Sequence, residues 1–271
     1  MSWVRGHFDL PATPDGTAMP HSAQLVATVA MAVLVAGFAV CAVREIARSR
    51  SVTLALLLIG GAVSYFNEPI DDVLGLVWHP VVGQWTALHT FARVPLWGLG
   101  IYIVFFGGMP YLILQNLRRG VSRRQLWGWV GVLAVVDVAV ELPILASGIY
   151  SYYGDAPMRI GGFPVYWIVI NAVGPLALAV LLMAAGETFT GRRAVYLLFL
   201  PMMSDAAGSV AVGWPIFSAL NAQASVPVRW LAAALTIAIG IGALDLLIAY
   251  AARSSAAYQR TSAVGAAAAN R

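Results

Sequence analysis

Carboxyl groups within apolar stretches are the first feature of this sequence that points to chemistry. Asp137 and Glu141 lie four residues apart in the apolar stretch Leu126–Leu145. That spacing places them on one face of a helix, one turn apart. A carboxylate near the centre of a bilayer costs roughly 2.5–3.5 kcal/mol on insertion scales. Because two carboxyl groups this close in an apolar medium are not expected to ionise together, the pair is predicted to hold a proton for acid–base catalysis. The alternative is a structural pair bonded to its helix neighbours.

Two further polar residues are expected at a similar depth. Asp205 lies in the apolar stretch Ala194–Trp214, and Asn171 lies in Pro164–Ala185. Counting about 1.5 Å per residue along each helix brings both close to the level of Asp137. We expect these residues to complete one polar pocket; separate packing contacts are the alternative.

An acidic segment ends the second apolar stretch. It contains Glu68 and, one helical turn later, Asp72. Because the next residues, including Trp78, are apolar and aromatic, we expect the segment to fold back and hold both carboxyl groups over the pocket. A solvated loop is the alternative. His89 and Arg93 precede the third apolar stretch. Arg93 is the predicted ion-pair partner of Glu68 or Asp72, and such a partner keeps a carboxylate ionised.

An aromatic loop follows the fourth apolar stretch, over residues Gly148–Trp167. Its glycines allow tight turns. Tyr150 and Trp167 are predicted to belong to a lid whose aromatic faces stabilise a cationic intermediate. An interfacial belt of aromatic side chains explains the same composition equally well.

The overall composition indicates the class of protein that positions these residues. Of 271 residues, 60% are hydrophobic and 10% are charged, against about 25% charged in soluble domains. A helix needs about 20 apolar residues to cross a bilayer. Because stretches such as Leu54–Ile59 do not alternate as barrel strands do, the predicted fold is all-α, a polytopic bundle of seven membrane helices. The seven apolar stretches are Ser22–Val43, Val52–Ile70, Val94–Leu117, Leu126–Leu145, Pro164–Ala185, Ala194–Trp214 and Trp230–Ala252.

The same composition excludes several kinds of chemistry. All sixteen basic residues are arginine, so no lysine is present to form a Schiff base with retinal or pyridoxal phosphate. Cys41 is the single cysteine, and the four histidines form no close pair. We therefore predict no metal centre and no other cofactor. Although the net charge is +4, the arginines lie between apolar stretches, so no nucleic-acid partner is expected. The expected partners are the lipid bilayer and a lipophilic small molecule, and the oligomeric state is left open.

Arginine positions predict the orientation and the domain organisation. Twelve arginines fall in the loops on one side and four in the loops on the other. By the positive-inside rule the N-terminus is outside and the C-terminus is cytoplasmic. Residues 1–21 are predicted to be an irregular outer arm, 22–253 the membrane domain, and 254–271 a disordered cytoplasmic tail.

The acidic segment also carries a family resemblance. Tyr65–Pro69, Asp72 and Trp78–Pro80 resemble the AveC-like spirocyclase family of actinobacterial integral membrane proteins. The lysine-free composition, rich in alanine, valine and arginine, fits such a source and a multi-pass protein of the bacterial inner membrane. The resemblance implies a spiroketal-forming activity on a polyketide-like dihydroxy ketone. It brings no set of catalytic residues with it.

The residues and the resemblance together predict a cyclase that works without a cofactor. Spiroketal formation passes through an oxocarbenium ion and requires one proton donor and one base, as in glycosidases. Glu141 is the predicted donor, and Glu68, held by Arg93, is the predicted base or cation stabiliser. Asp205 and Asn171 would orient hydroxyl groups. Exchanging the roles of the two glutamates fits the sequence almost as well.

Other functions are compatible with the same carboxyl groups. A terpene or carotenoid cyclase or hydratase would use the same acids. A proton-coupled transporter also places carboxylates at membrane depth, but the odd number of helices and the lack of an internal repeat count against it. A non-catalytic scaffold would give no reason for the buried acids.

Overall fold

A computed structural model of the chain describes residues 11–90 and 92–269. Within them, seven helical segments are long and apolar enough to cross a membrane. The predicted all-α, polytopic fold is therefore confirmed. We number the segments as the first to seventh spans. In order they are His21–Ser49, Thr53–Gly75, Leu96–Arg119, Arg123–Ser147, Trp167–Phe189, Gly191–Asn221 and Val226–Arg260.

Two spans change helix type along their length. The second span is an α-helix over Thr53–Ser64, a 3-10 turn over Tyr65–Asn67 and an α-helix over Glu68–Gly75. Pro69 lies in the first turn of that last helix, where its missing N–H leaves no hydrogen bond unmade. The third span contains a π-helical segment at Ile103–Gly108, a kind of irregularity often found at functional sites.

Of the other spans, some combine α-helix with 3-10 turns and some are single α-helices. The third span begins as an α-helix over Leu96–Tyr102 and ends with Met109–Arg119. The fifth is α-helical over Trp167–Ala185 and closes with a 3-10 turn over Gly186–Phe189. The sixth begins with 3-10 turns over Gly191–Leu198 and continues as an α-helix over Leu200–Asn221. The first and fourth spans are single α-helices over His21–Ser49 and Arg123–Ser147.

Short antiparallel strand pairs cover one end of the bundle. β1 (Val77–Trp78) pairs with β4 (Ser151–Tyr152), which joins the segment after the second span to the loop after the fourth. β2 (Thr86–His89) pairs with β3 (Arg93–Pro95) before the third span. β5 (Arg159–Ile160) pairs with β6 (Phe163–Pro164) before the fifth. The segment after Asp72 thus folds back over the bundle, as predicted.

The bundle is tight on one side and loose on the other. The second span packs closely on the third and sixth, and the fifth packs on the sixth and seventh. The first and fourth spans lie at the periphery, and most of their residues are exposed. The fourth span packs against the fifth and seventh. Across the described residues it has no comparable packing against the first or third span.

The predicted ends of the chain are only partly correct. Residues 11–20 are irregular except for a bridge between Ala18 and Val82, and residues 1–10 lie outside the described part. The segment from 254, predicted as a disordered tail, instead continues the last helix, which extends over Val226–Ala269. Ser255 Oγ donates to the Leu117 carbonyl at 2.6 Å, and Gln259 bonds the Arg118 carbonyl. These bonds and an alanine-rich sequence explain the helix; residues 270–271 lie outside the described part.

Close approach of the second and third spans predicts intolerance of any side chain at two glycines. A Cβ on Gly61 would lie 2.8 Å from the Tyr102 carbonyl oxygen, and one on Gly107 would lie 2.6 Å from the Leu57 carbonyl oxygen. Both obstacles are backbone, so the helices must separate. We expect Gly61→Ala and Gly107→Ala to lower the free energy of unfolding by about 1–3 kcal/mol, measured by thermal denaturation in detergent micelles.

Gly37 on the first span is the matched control. A Cβ there meets no described atom within 4 Å. Alanine has a higher helix propensity than glycine. Gly37→Ala should therefore leave the free energy of unfolding unchanged or raise it by up to about 1 kcal/mol. Equal behaviour of all three variants would contradict the packing described for the two spans.

Candidate active site

A cavity of about 330 Å³ lies beneath the β1–β4 pair, with side chains from the first six spans around it. Its polar content is unusual for a membrane interior. Carboxyl groups are costly there unless partners compensate them. Half of the chain's twelve acidic residues line it. They are Glu68, Asp71, Asp72, Asp137, Glu141 and Asp205.

One wall of the cavity carries a histidine between two carboxyl groups. Glu68 and Asp72 are one turn apart on the helix Glu68–Gly75 and therefore share a face. The loop after this helix brings in His79, whose Nε2 lies 3.4 Å from Glu68 Oε1 and 3.4 Å from Asp72 Oδ1. Tyr102 donates its hydroxyl to the other oxygen of Glu68, Oε2, at 2.7 Å. The result is a compact group contributed by two spans and one loop.

His79 lies outside the membrane-spanning segments and is 95% buried, with 5% exposure. Burial opposes protonation of the ring, but the carboxylates of Asp72 and Glu68 outweigh it and raise the pKa of His79 to about 10. The two carboxylates therefore favour the protonated imidazole at neutral pH. Tyr152 in β4 also faces the cavity, and burial raises its pKa well above the usual range, so its hydroxyl stays neutral.

A second acidic group lies deeper along the same wall. Asp205 of the sixth span is 2% exposed, and its Oδ2 accepts from Ser64 Oγ at 3.0 Å and from Asn67 Nδ2 at 2.7 Å. Asn67 also donates to the Met202 carbonyl at 2.9 Å. These bonds tie the second span to the sixth where the second span forms its 3-10 turn. Asp205 is therefore a fixed, bonded carboxyl group.

The opposite wall is formed by the fourth and fifth spans. Asn171 Nδ2 donates to Asp137 Oδ2 at 3.3 Å. One turn further along the fourth span, Glu141 Oε2 accepts from the Tyr150 hydroxyl. The predicted pair on one helix face therefore does point into the cavity, and each member has a neutral partner.

Aromatic rings line the cavity between these two walls. Trp97 stacks on Tyr150 with ring centroids 5.9 Å apart. His79 contacts both, at 5.6 Å from Trp97 and 5.7 Å from Tyr150. Tyr150 therefore contacts the histidine of one wall and bonds the glutamate of the other. Trp167 packs against Tyr152 of β4, with ring centroids 6.0 Å apart, at the end of the cavity that the β1–β4 pair covers.

The cavity is open sideways, between the loosely packed first and fourth spans. Leu34 of the first span lines it and is 46% exposed. Val136 and Val140 of the fourth span also line it and are 48% and 50% exposed. Residues that face both the cavity and the outside of an apolar helix bundle mark a lateral opening.

Most of the sequence-predicted site residues meet in this cavity. Eight line it, namely Glu68, Asp72, Asp137, Glu141, Tyr150, Trp167, Asn171 and Asp205. Three others, Trp78, His89 and Arg93, are not among its lining residues. Trp78 Nε1 donates to Thr17 Oγ1 at 2.9 Å.

The predicted ion pair of Arg93 is wrong. Arg93 is exposed at the start of β3, and its Nε donates to Nε2 of the exposed His89 at 3.4 Å. The β2–β3 hairpin holds both side chains away from the acids. His79 occupies the position beside Glu68 and Asp72 that the sequence assigned to Arg93.

Sequence reasoning missed His79, Tyr102 and Trp97. His79 follows Asp72 by seven residues, and its occurrence within an apolar, aromatic stretch was the available signal. Nothing local relates it to the carboxyl groups, because the loop conformation decides where the ring points. In the sequence, Tyr102 and Trp97 cannot be told apart from the other aromatic and apolar residues of the third span.

Comparison with protein family models, curated proteins and solved structures finds no match for the chain. The fold and the cavity nevertheless define a class of protein. It is a polytopic helical membrane protein whose acidic cavity opens toward the surface that faces lipid.

The bonds around Asp205 predict a large effect of a small substitution. Asn67→Ala removes the donors to Asp205 and to the Met202 carbonyl, leaving two buried acceptors short of a partner. We expect the free energy of unfolding to fall by about 1–3 kcal/mol, measured by thermal denaturation in detergent. The control is Asn116→Ala, since Asn116 is half-buried and, among the described residues, its side chain donates within its own helix, to the Leu112 carbonyl at 2.8 Å. An equal loss in both variants would contradict the role given to Asn67.

Proposed function

We propose that the protein is a membrane-embedded acid/base cyclase, related to the AveC-like spirocyclases, that converts a lipophilic polyketide-like dihydroxy ketone into a spiroketal. The observation that carries the proposal is the pair of walls described above. Glu141 and Glu68 line one cavity that is open to the bilayer, and each is bonded by a tyrosine hydroxyl. A reaction that needs a proton donor and a base on either side of one carbon fits this arrangement.

In the proposed reaction one substrate hydroxyl first adds to the ketone and gives a hemiketal. The Glu141 carboxyl group then protonates the hemiketal hydroxyl, which leaves as water, and the remaining ring oxygen shares its electrons to form an oxocarbenium ion. The second hydroxyl attacks this carbon and releases its proton to the wall that carries Glu68. The net change is the loss of one water molecule. The released water can then carry this proton from the wall of Glu68 back to Glu141, which restores the starting state.

The surroundings of the acids support a cationic intermediate. The faces of Trp97 and Tyr150 lie between the two walls, and aromatic faces attract cations. Asp137, on the same helix as Glu141, and Asn171, on the neighbouring fifth span, extend the polar surface. Asp205 is held by two donors and can accept a bond from a substrate hydroxyl.

The shape of the cavity favours a lipophilic substrate. Its rim between the first and fourth spans is apolar, with Met31, Leu34, Val136 and Val140 on either side. A substrate with a long alkyl chain would leave the chain in the bilayer and place its oxygen-bearing end among the acids.

The proposed orientation has the N-terminus outside and the C-terminus cytoplasmic, in a bacterial inner membrane. It rests on the arginines, twelve of which fall at one end of the spans. The acidic cavity would then lie in the outer half of the membrane. A reporter enzyme fused after Arg253 should be active only in the cytoplasm; activity on the outer side would overturn the orientation.

Catalysis is tested with a synthetic long-chain dihydroxy ketone and the purified protein in lipid nanodiscs. The expected product has lost one water and consists of a single stereoisomer, whereas spontaneous closure in acid gives a mixture. Glu141→Gln should lower the turnover rate by about 10²–10⁴-fold, the usual contribution of a general acid. Chiral chromatography with mass spectrometry measures both rate and stereochemistry.

Asp155→Asn is the matched control, because Asp155 is an exposed carboxylate that pairs with Arg229 outside this cavity. It should retain the wild-type rate. Near-normal turnover of Glu141→Gln would remove Glu141 from the mechanism. A polyene substrate that is cyclised or hydrated instead would favour a terpene or carotenoid enzyme. Uptake of unchanged substrate into vesicles under a pH gradient would favour a transporter.

A further inference from the structure

Three donor atoms lie close together at the head of the cavity, on residues from one helix and the loop that follows it. His79, Glu68 and Asp72 each offer one donor atom, and these three atoms all lie within 4.8 Å of one another. His79 Nε2 is 3.4 Å from Glu68 Oε1 and 3.4 Å from Asp72 Oδ1. We infer that Glu68, Asp72 and His79 form a binding site for a divalent cation of the zinc type, with an open position that faces the cavity.

The two nitrogen-to-oxygen distances fit tetrahedral coordination. Zinc bonds to imidazole nitrogen and carboxylate oxygen are about 2.0–2.2 Å long, so two ligands of a tetrahedral ion stand about 3.4 Å apart. Both nitrogen-to-oxygen distances have this value. They are long for a hydrogen bond, whose usual range ends near 3.2 Å. The spacing therefore leaves room for an ion among the three atoms.

The state of His79 is an independent observation. Its side chain is 3% exposed, and within the described residues neither ring nitrogen has a hydrogen-bond partner. Buried polar atoms normally have partners, so an exception requires an explanation. A bound cation at Nε2 supplies one, because neutral imidazole is a common zinc ligand.

The groups around the three ligands hold them in place. The Tyr102 hydroxyl donates to Glu68 Oε2, which leaves Oε1 free to coordinate. Trp97 and Tyr150 contact the His79 ring and fix its plane. Such outer partners orient ligands and affect metal affinity. Three protein ligands with a fourth position open are typical of catalytic rather than structural zinc sites.

The ligand types also indicate which ion is expected. Calcium takes six to eight oxygen ligands, and magnesium prefers oxygen in an octahedron with several waters. One imidazole with two carboxylates suits a transition-metal ion, and tetrahedral spacing favours zinc. The binding itself does not depend on the proposed cyclase. Its use does rest on that function: the ion would hold a substrate oxygen at the position where the attacking hydroxyl is required.

The test is metal content of the purified protein. Wild-type protein in detergent is stripped with a chelator, incubated with Zn²⁺, Mn²⁺, Mg²⁺ or Ca²⁺, desalted, and analysed by elemental mass spectrometry. We expect one zinc ion per chain, little magnesium or calcium, and X-ray absorption with one imidazole and oxygen ligands at about 2.0–2.1 Å. Zinc should also raise the thermal unfolding temperature.

Variants separate this site from the rest of the cavity. His79→Gln and Asp72→Asn should weaken zinc binding by at least about 100-fold, and Tyr102→Phe by about 10–100-fold. Glu141→Gln, on the opposite wall, is the control and should retain full zinc. Gel filtration checks that each ligand variant is folded, and the spectroscopy of the wild-type protein does not depend on the variants.

The possible failures are distinguishable. Folded wild-type protein that retains no zinc, or zinc retained equally by His79→Gln, overturns the metal site whatever the catalytic result. Suppose instead that the wild-type protein binds one zinc ion, that His79→Gln loses it, and that the wild-type protein closes no dihydroxy ketone. The metal site is then established and the proposed cyclase is overturned.

Discussion

Desolvation of carboxyl groups is the constraint on which the rest of this structure depends. Six acids line one cavity inside an apolar bundle, and each must find a partner there because water is scarce. Asp205 is bonded by Ser64 and Asn67, and Glu141 by Tyr150. The interrupted second span and the loop that carries His79 can be understood as the backbone changes needed to bring such partners to the acids.

The division of the bundle into tight and loose parts follows the two demands made on it. Glycine contacts bring the second span against the third, which fixes the helices that carry Glu68 and Tyr102. The first and fourth spans pack loosely and leave an opening lined by valine and leucine. The proposed cyclase would require both features, fixed acids and a lateral entrance, for a substrate that arrives from the lipid phase.

The two proposals give the wall that carries His79 two chemically distinct states. With the imidazole protonated, two carboxylates and one cation leave a single negative charge, which suits a base near a cationic intermediate. With a divalent ion and a neutral imidazole, the same three side chains would form a neutral group that binds oxygen directly. In either state the proposed mechanism has this wall act on the attacking hydroxyl and Glu141 act from the other side.

The sequence by itself determined the seven spans, the carboxyl groups directed inward from the fourth span, and five of the six acids that line the cavity. These features depend on hydropathy and on the helical repeat, which are properties of residues close together in the chain. Only the tertiary structure decided that His79 rather than Arg93 meets Glu68 and Asp72. It also decided that the last helix continues to Ala269. The reason is that these outcomes depend on contacts between distant segments. Val77 pairs with Tyr152 across β1 and β4, and Ser255 bonds Leu117; no local pattern encodes either.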